Sequence, residues 1–351
     1  MRLFGRKDDE GQEPEGLSGE RIAEFWVTWD QLRPQLDTLL AAGDTQGATE
    51  LLAPAVAALD PGLVAEIGPG RNAVQSLVIT AAGDPELRSL AHRWAASAPQ
   101  GDFMWEFFPS RQANPRVMEL TVEVGGADFA FDQLMFGLRV PHGTPRVDIS
   151  AYHPLFADLD ADARMEATLL ALDWLLGEDE VARWVGEITP ATFQPIDAVA
   201  AVHLPAVVAD VAGEWAEEQW VMLEGQAAGG AALVATARYP LRPVDHPLFD
   251  QHIEITLPYT HRDEKGLPAG ASERALREFD DKLAKQLAKG GDAVLAAHVS
   301  ADGLRVAHLY ADPAGGAAEL ARELAGRWKE GGAKVEVDHD PGWIAVSPFL
   351  S

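Results

Sequence analysis

The sequence predicts an α+β protein of two domains, and three observations carry that prediction. Asp302-Gly303 stands between two apolar runs, and an Asp-Gly pair there signals a hairpin, because a type I′ turn needs positive φ at both central residues. A helix pattern brackets the hairpin on each side and a strand pattern lies beyond each helix. That order is β-α-β-β-α-β. Upstream, residues 103–152 read as a succession of short strands flanked by helix patterns, which is the layout of a mostly antiparallel α+β domain.

Composition bounds the rest. A chain of 351 residues, 47% apolar, is long enough for two ordinary domains with real cores. Asp and Glu outnumber Lys and Arg by 55 to 28, for a formal charge of −27. Such a surface repels phosphate backbones, which argues against nucleic-acid binding. It favours a basic partner, although solubility alone also accounts for it. Zero Cys excludes disulfides, thiolate catalysis and Cys-ligated zinc. No run of eighteen uncharged apolar residues is present, so no membrane span is expected. Met1–Lys7 is basic but no apolar h-region follows. A cytoplasmic location is therefore expected.

Taken in order, residues 8–19 are polar and rich in Gly and acid, and a disordered tail is expected over 1–19. A first domain is expected over 20–213. Ser18 can cap a helix whose stripe is Ile22, Phe25, Trp26, Trp29, Leu32, Leu36, Leu39 and Leu40. At that spacing the aromatics mean a core face more often than a ligand platform. A second helix carries Leu51, Leu52, Val56 and Leu59. The stretch Leu63–Ala73 resembles the glycine loop of S-adenosylmethionine methyltransferases and also reads as the G-x-G-x-x-A of dinucleotide folds. Both need a helix after the loop. Strand-like Leu77–Thr80 follows too soon for a crossover helix, which takes about a dozen residues. An antiparallel hairpin fits better.

Asp84-Pro85 reads as the start of a helix lined by Leu87, Leu90, Ala91 and Trp94. Strands are expected at Phe103–Phe108, Val117–Val124, around Phe129–Phe131, and at 133–140 and 146–152. Asp160 is expected to cap a long helix running to Ile188. Residues 189–213 hold three prolines and no clear period, and the domain boundary is placed there.

The second domain is expected over 214–351. It opens with a hairpin of Trp220–Glu224 and Leu233–Tyr239. The first strand of the main unit is His252–Leu257. Ser272 is expected to cap a helix with Leu276, Phe279, Leu283 and Leu287. After the Asp302-Gly303 hairpin, Asp312-Pro313 is expected to start the helix of Leu320, Leu324 and Trp328. Val335–Val337 is the last strand. Two helices on one face of a four-stranded antiparallel sheet make the ferredoxin-like arrangement.

Within this half, Trp220…Leu223-Glu-Gly225, Gly266-Leu-Pro268, Leu276…Phe279-Asp280, Ala297-His298…Gly303-Leu-Arg305…His308-Leu-Tyr310 and Asp340-Pro-Gly-Trp343 form a recognisable set. Over about residues 215–351 the set resembles the uncharacterised bacterial domain-of-unknown-function 695 family. Leu77–Gly83 and Leu172–Glu178 resemble the segment that often precedes that domain. The family is also similar in expected topology to the regulator of ribonuclease E activity B, a small acidic protein that acts by binding another protein. The resemblance implies no catalytic residue, cofactor or metal.

The residues themselves add no reaction. With an Asp302-Gly303 turn, His298 faces Ala307 and His308 faces Ala297, so the two imidazoles lie on opposite sheet faces and share no ion. Asp338-His-Asp340 lacks a partner ligand at recognisable spacing. Asp280 and Asp281 are neighbours on a helix and do not face each other. No P-loop, G-x-S-x-G or triad order is present. Of the two hairpin faces, the one with Leu295, Val299, Val306, His308 and Tyr310 is expected to meet the helices. The Arg305 face is expected to lie against the first domain or to be the partner surface, with Arg305, His298, Ser300 and Trp343 as the surface residues. A purely structural Arg305 and Trp343 is the competing reading. The function expected is a non-catalytic protein-binding or regulatory protein. An enzyme with an inter-domain cleft and an immunity or antitoxin-like acidic protein are the alternatives. Catalytic, cofactor and metal residues are expected to be none, and oligomeric state is not legible.

Overall fold

The computed structural model describes residues 15–227 and 229–350. They form two compact units, one of residues 22–84 and 91–217, the other of residues 218–350, with which 15–21 and 85–90 group. Residues 1–14 of the expected tail lie outside the described residues; from Glu15 onward the chain is helical.

The first unit opens with α1 (Glu15–Ala41) and α2 (Thr45–Leu59). Helix α1 starts ahead of Ser18, which therefore lies inside it rather than capping it. Asp44 caps α2 by accepting from the Gly47 amide at 2.8 Å. Strands β1 (Val64–Pro69) and β2 (Gln75–Thr80) pair antiparallel; Gly68 and Pro69 end β1 opposite Ser76 and Gln75, residues 70–74 turn the hairpin, and no helix follows. Helix α3 (Arg88–Ala96) begins three residues after Pro85, which sits in a turn. Strand β3 (Trp105–Phe108) joins β2 in parallel. The stripe on α1 is core: Trp29 meets Trp105 edge-on at 4.9 Å and Trp26 stacks on Trp94 at 5.1 Å. The Trp105 indole donates to Asp37 at 2.8 Å, which satisfies its buried N–H.

The rest of this unit is a second layer. Val117–Glu119, expected as strand, is a 3-10 turn before β4 (Thr121–Val124), which pairs with β5 (Ala127–Ala130). Strands β6 (Met135–Arg139) and β7 (Val147–Tyr152) pair antiparallel. Asp160 caps α4 (Ala161–Leu176), but the helix stops at Gly177, where φ is +92°. A short α5 (Glu178–Trp184) follows, then β8 (Val185–Ala191), parallel to β7. Val185 and Ile188 are thus strand residues, not the end of a long helix. Strand β9 (Val199–Ala200) and helix α6 (Leu204–Glu214) occupy the stretch that showed no period. The sheet order is β8-β7-β6-β9.

Leu77–Gly83 and Leu172–Glu178 meet at one carboxylate in this unit. Glu178 accepts from the Thr80 hydroxyl, the Gly83 amide at 3.0 Å and the Arg111 amide at 3.1 Å. The Arg111 side chain reaches Glu66 at 2.6 Å and Asp173 at 2.8 Å. Burial raises the Asp173 carboxyl to about 6 against the pull of Arg111.

The second unit is one six-stranded sheet in the order β10-β11-β13-β14-β12-β15. Its members are β10 (Gln219–Gln226), β11 (Ala232–Tyr239), β12 (Gln251–Pro258), β13 (Ala293–Ala301), β14 (Leu304–Ala311) and β15 (Lys334–His339). Every neighbouring pair is antiparallel. Counting β12 to β15 as one to four, their order is 4-1-3-2, and β10 and β11 extend the sheet beyond β13. Helices α7 (Gly270–Gly290) and α8 (Ala317–Ala325) cover one face. There Leu276, Phe279, Leu283 and Leu324 pack with Ile253, Ile255, Leu257 and Leu309. Neither expected cap is one. Ser272 is buried inside α7, accepting from the His261 amide and donating to Glu330. Asp312 caps a tight turn, and α8 starts after Gly316. The opposite face is covered by Leu241, Trp343 and Val346.

The turn between β13 and β14 has φ of +45° at Asp302 and +82° at Gly303, and a Cβ on Gly303 would strike the Arg262 guanidinium. Gly303→Ala is expected to cost roughly 1 kcal/mol or more. It should lower the denaturation midpoint with an unchanged slope; an unchanged midpoint would show that the turn tolerates a side chain.

Candidate functional site

The four residues expected on an open surface are not on one. Strand β12 places Ile253, Ile255 and Leu257 under the helices, and its register sets Leu257 opposite Arg305. The Arg305 face is therefore the helix face. Its Nη1 donates to Asp280 of α7 at 2.6 Å and its Nε to Ser300 at 2.9 Å. Ser300 and Trp343 are buried at 2% and 1% exposure. The parity argument failed for two reasons. Both faces are covered, so apolar content does not tell them apart. A bulge between Leu295 and Ala297 also moves Leu295 to the helix face.

Under α7 the polar groups form one cluster. Burial raises the Asp280 carboxyl to about 6 despite the Arg305 charge beside it. Burial, with Arg305 adding to it, drives the His298 imidazole down to about 3. His298 is thus neutral at pH 7, and its 3.7 Å approach to Asp280 is not an ion pair. The Trp220 ring lies 6.1 Å from His298 and has the Arg238 guanidinium 5.4 Å from its centre.

The other face holds a second network, which the sequence did not reveal because the contacts that join its strands to one another and to the chain end span 30 to 94 residues. His252 Nε2 and His308 Nδ1 share a hydrogen bond at 3.0 Å. The Tyr310 hydroxyl donates to Asp340 at 2.6 Å, and Asp340 also accepts from the amides of Ile344 and Ala345 at 2.9 Å. Trp343 stacks on Tyr310 at 3.9 Å and donates its indole N–H to the Phe249 carbonyl at 2.8 Å. Those contacts hold Trp343 at φ +55°, a conformation that bulky residues avoid. Burial drives His308 down to about 3 and lowers His252. His298 and His308 lie on opposite faces, and among the described residues no three His, Asp or Glu side chains are grouped to hold a metal ion.

What is open in this unit is an edge. Strand β10 pairs with β11 on one side, and among the described residues no strand pairs with its other side. Trp220, Met222 and Leu223 stand on it at 47%, 69% and 45% exposure. It holds no Pro, no Lys and a single charge, Glu224, and its register with β11 runs without a bulge. The opposite edge, β15, reads Lys-Val-Glu-Val-Asp-His and is blunted by charge. The first unit has an open groove of about 310 Å³ over β6, β7 and β8. Its carboxylates Glu187 and Asp197 are exposed, and the half-buried Asp148 already accepts from Arg139 and the Glu187 amide, so the groove lacks the convergent free polar groups of a ligand site.

Residues 218–351 match a family of unknown function (DUF695), the family that the motifs of this half resemble. No curated protein matches the chain. Among the described residues no helix is long and apolar enough to cross a membrane.

Two measurements check these networks. Arg305→Ala leaves Asp280 under α7 without its cation and is expected to cost roughly 3 kcal/mol of stability. Replacing both partners by Leu should recover most of that loss; a single variant as stable as wild type would mean the pair is solvated. The second concerns pH. His252 and His308 have folded values below their unfolded value of about 6.5. The unfolded chain therefore binds more protons, and their contribution to stability is lost as pH falls from about 6.5 toward 3. Asp173 and Asp280, raised to about 6, act in the opposite sense, so the difference between wild type and His308→Gln isolates the pair. The variant is expected to show a flatter acid limb in urea melts between pH 7 and 4. An identical limb would mean the pair does not titrate on unfolding.

Proposed function

We propose that the protein is a non-catalytic binding protein that captures an extended segment of another protein on edge strand β10. One observation carries the reading: an eight-residue edge strand left open and apolar in a unit whose other edge is charged. Strand addition supplies main-chain hydrogen bonds for affinity and alternate side chains for specificity. The shifted groups Asp280, His298, Arg305 and His308 support binding over chemistry, since they sit in packed interior layers rather than an accessible cleft. The cytoplasm is the proposed compartment.

A second reading, an acidic antagonist of a basic protein, draws on the distribution of charge. Lys7 is the only lysine before Lys265, so the acidity is concentrated in the first unit. It requires no role for β10, and salt should abolish its binding.

The test is capture at moderate salt by wild type and by Met222→Lys/Leu223→Lys. The pair places a charge on each face of β10, as natural sheets do at edges they protect. Specifically retained proteins are expected to fall by about tenfold, with an unchanged melting temperature and cross-links mapping to residues 219–226. Retention unaffected by the double variant would set the β10 reading aside.

A further inference from the structure

We infer that the occupant of β10 is an extended segment with an apolar centre and a Lys or Arg beside Glu224; this rests on the reading above and specifies its partner. The backbone sets the conformation. An edge strand presents alternate N–H and C=O groups along one line, and a β-strand satisfies that whole row where a helix does not. The side chains set the composition. Trp220 and Met222 project to one face and Val221 and Leu223 to the other. A strand added alongside them places its own residues next to both pairs and gains most with apolar or aromatic residues at about four successive positions.

Charge then fixes the flank. Glu218 and Glu224 bound the apolar run. Glu218 is engaged by Arg238, whose Nε is held by the Leu295 carbonyl at 2.9 Å, so that carboxylate is already paired. Glu224 is exposed and has no hydrogen-bond or ion-pair partner among the described residues. A cation in the added strand next to Glu224 is a cross-strand opposite-charge pair, while an acid there is a like-charge clash. The −27 charge of the chain disfavours acidic segments further and speeds the approach of basic ones. The same charge opposes occupation by a second copy, which would bring two acidic chains together.

The probe is a capped peptide, Lys-Thr-Val-Phe-Val-Thr-Lys, titrated into the full-length protein by calorimetry. Lysines at both ends serve either strand direction. Two relatives accompany it: one with Glu at both ends, and one with alternate backbone amides N-methylated to remove donors along one edge. The Lys peptide is expected to bind, and both relatives to bind about tenfold more weakly or worse. Glu224→Lys is expected to reverse the charge preference. An undetectable Lys peptide, equal binding of the Glu peptide, or equal binding of the N-methylated peptide overturns the inference. So does sedimentation showing a dimer that Met222→Lys/Leu223→Lys dissolves, which would assign the edge to a second copy. Failure of the peptide with capture at β10 intact removes the inference alone. Loss of neither capture nor peptide binding in the double variant removes the reading beneath it.

Discussion

The second unit is governed by one constraint: its central strands are covered on both faces, so every polar side chain they carry must find its partner inside. Strands β12 and β14 lie mid-sheet, under α7 and α8 on one side and under Leu241, Trp343 and Val346 on the other. Arg305 therefore takes Asp280, His308 takes His252, and Tyr310 takes Asp340. Buried polar groups are retained at a cost and are tolerated only when satisfied. This explains why the titratable residues of the unit have shifted values, burial being the first cause at Asp280, His298 and His308. It also explains the strained Trp343, whose indole and ring are both engaged and whose neighbours leave it no alternative.

Because the centre of the sheet is used up in this way, the proposed recognition falls to its margins. The two margins are built differently. Strand β15 alternates charge outward, and its neighbour Glu254 is raised mainly by burial and further by Glu336 opposite. Charges spaced along that edge, Lys334, Glu336 and Asp338, disfavour an added strand. Strand β10 has the reverse character, with indole, thioether and isobutyl groups exposed and an unbroken register behind them. A sheet whose edges were both incidental would not be expected to protect one and leave the other bare.

Much of this was legible in the sequence, and the failures have physical causes. The Asp302-Gly303 turn, the α+β class and the antiparallel β1–β2 hairpin follow from local chemistry, because turn residues and short gaps act over a few positions. Strand β8 and helix α6 were missed. Their stretch is interrupted by Pro190, Pro195 and Pro205, and Pro205 is in fact at the start of α6, where its missing N–H costs nothing. Asp84, Ser272 and Asp312 looked like caps since Ser and Asp favour both caps and turns, and tertiary contacts decided between the two. The sheet faces came out reversed because both are covered and apolar content does not tell them apart, and the inserted residue between Leu295 and Ala297 shifted parity only upstream of it.

The first unit shows the same principle at a different scale. Its two layers are joined through Glu178 and Arg111, which are 67 residues apart and bring Leu77–Gly83 onto the α4–α5 junction. Glu178 accepts three donors, and Arg111 is shared by two carboxylates. Such a hub is costly to break singly: loss of Arg111 leaves Asp173 without its cation, and loss of Glu178 leaves the Thr80 hydroxyl and the Gly83 and Arg111 amides without their acceptor. The two stretches that sequence resemblance singled out are therefore explained by cohesion, with no ligand required. In both units the polar residues that first attract attention hold the fold together. Among the described residues the apolar edge of β10 carries no such structural task, and the proposed partner strand would cover it.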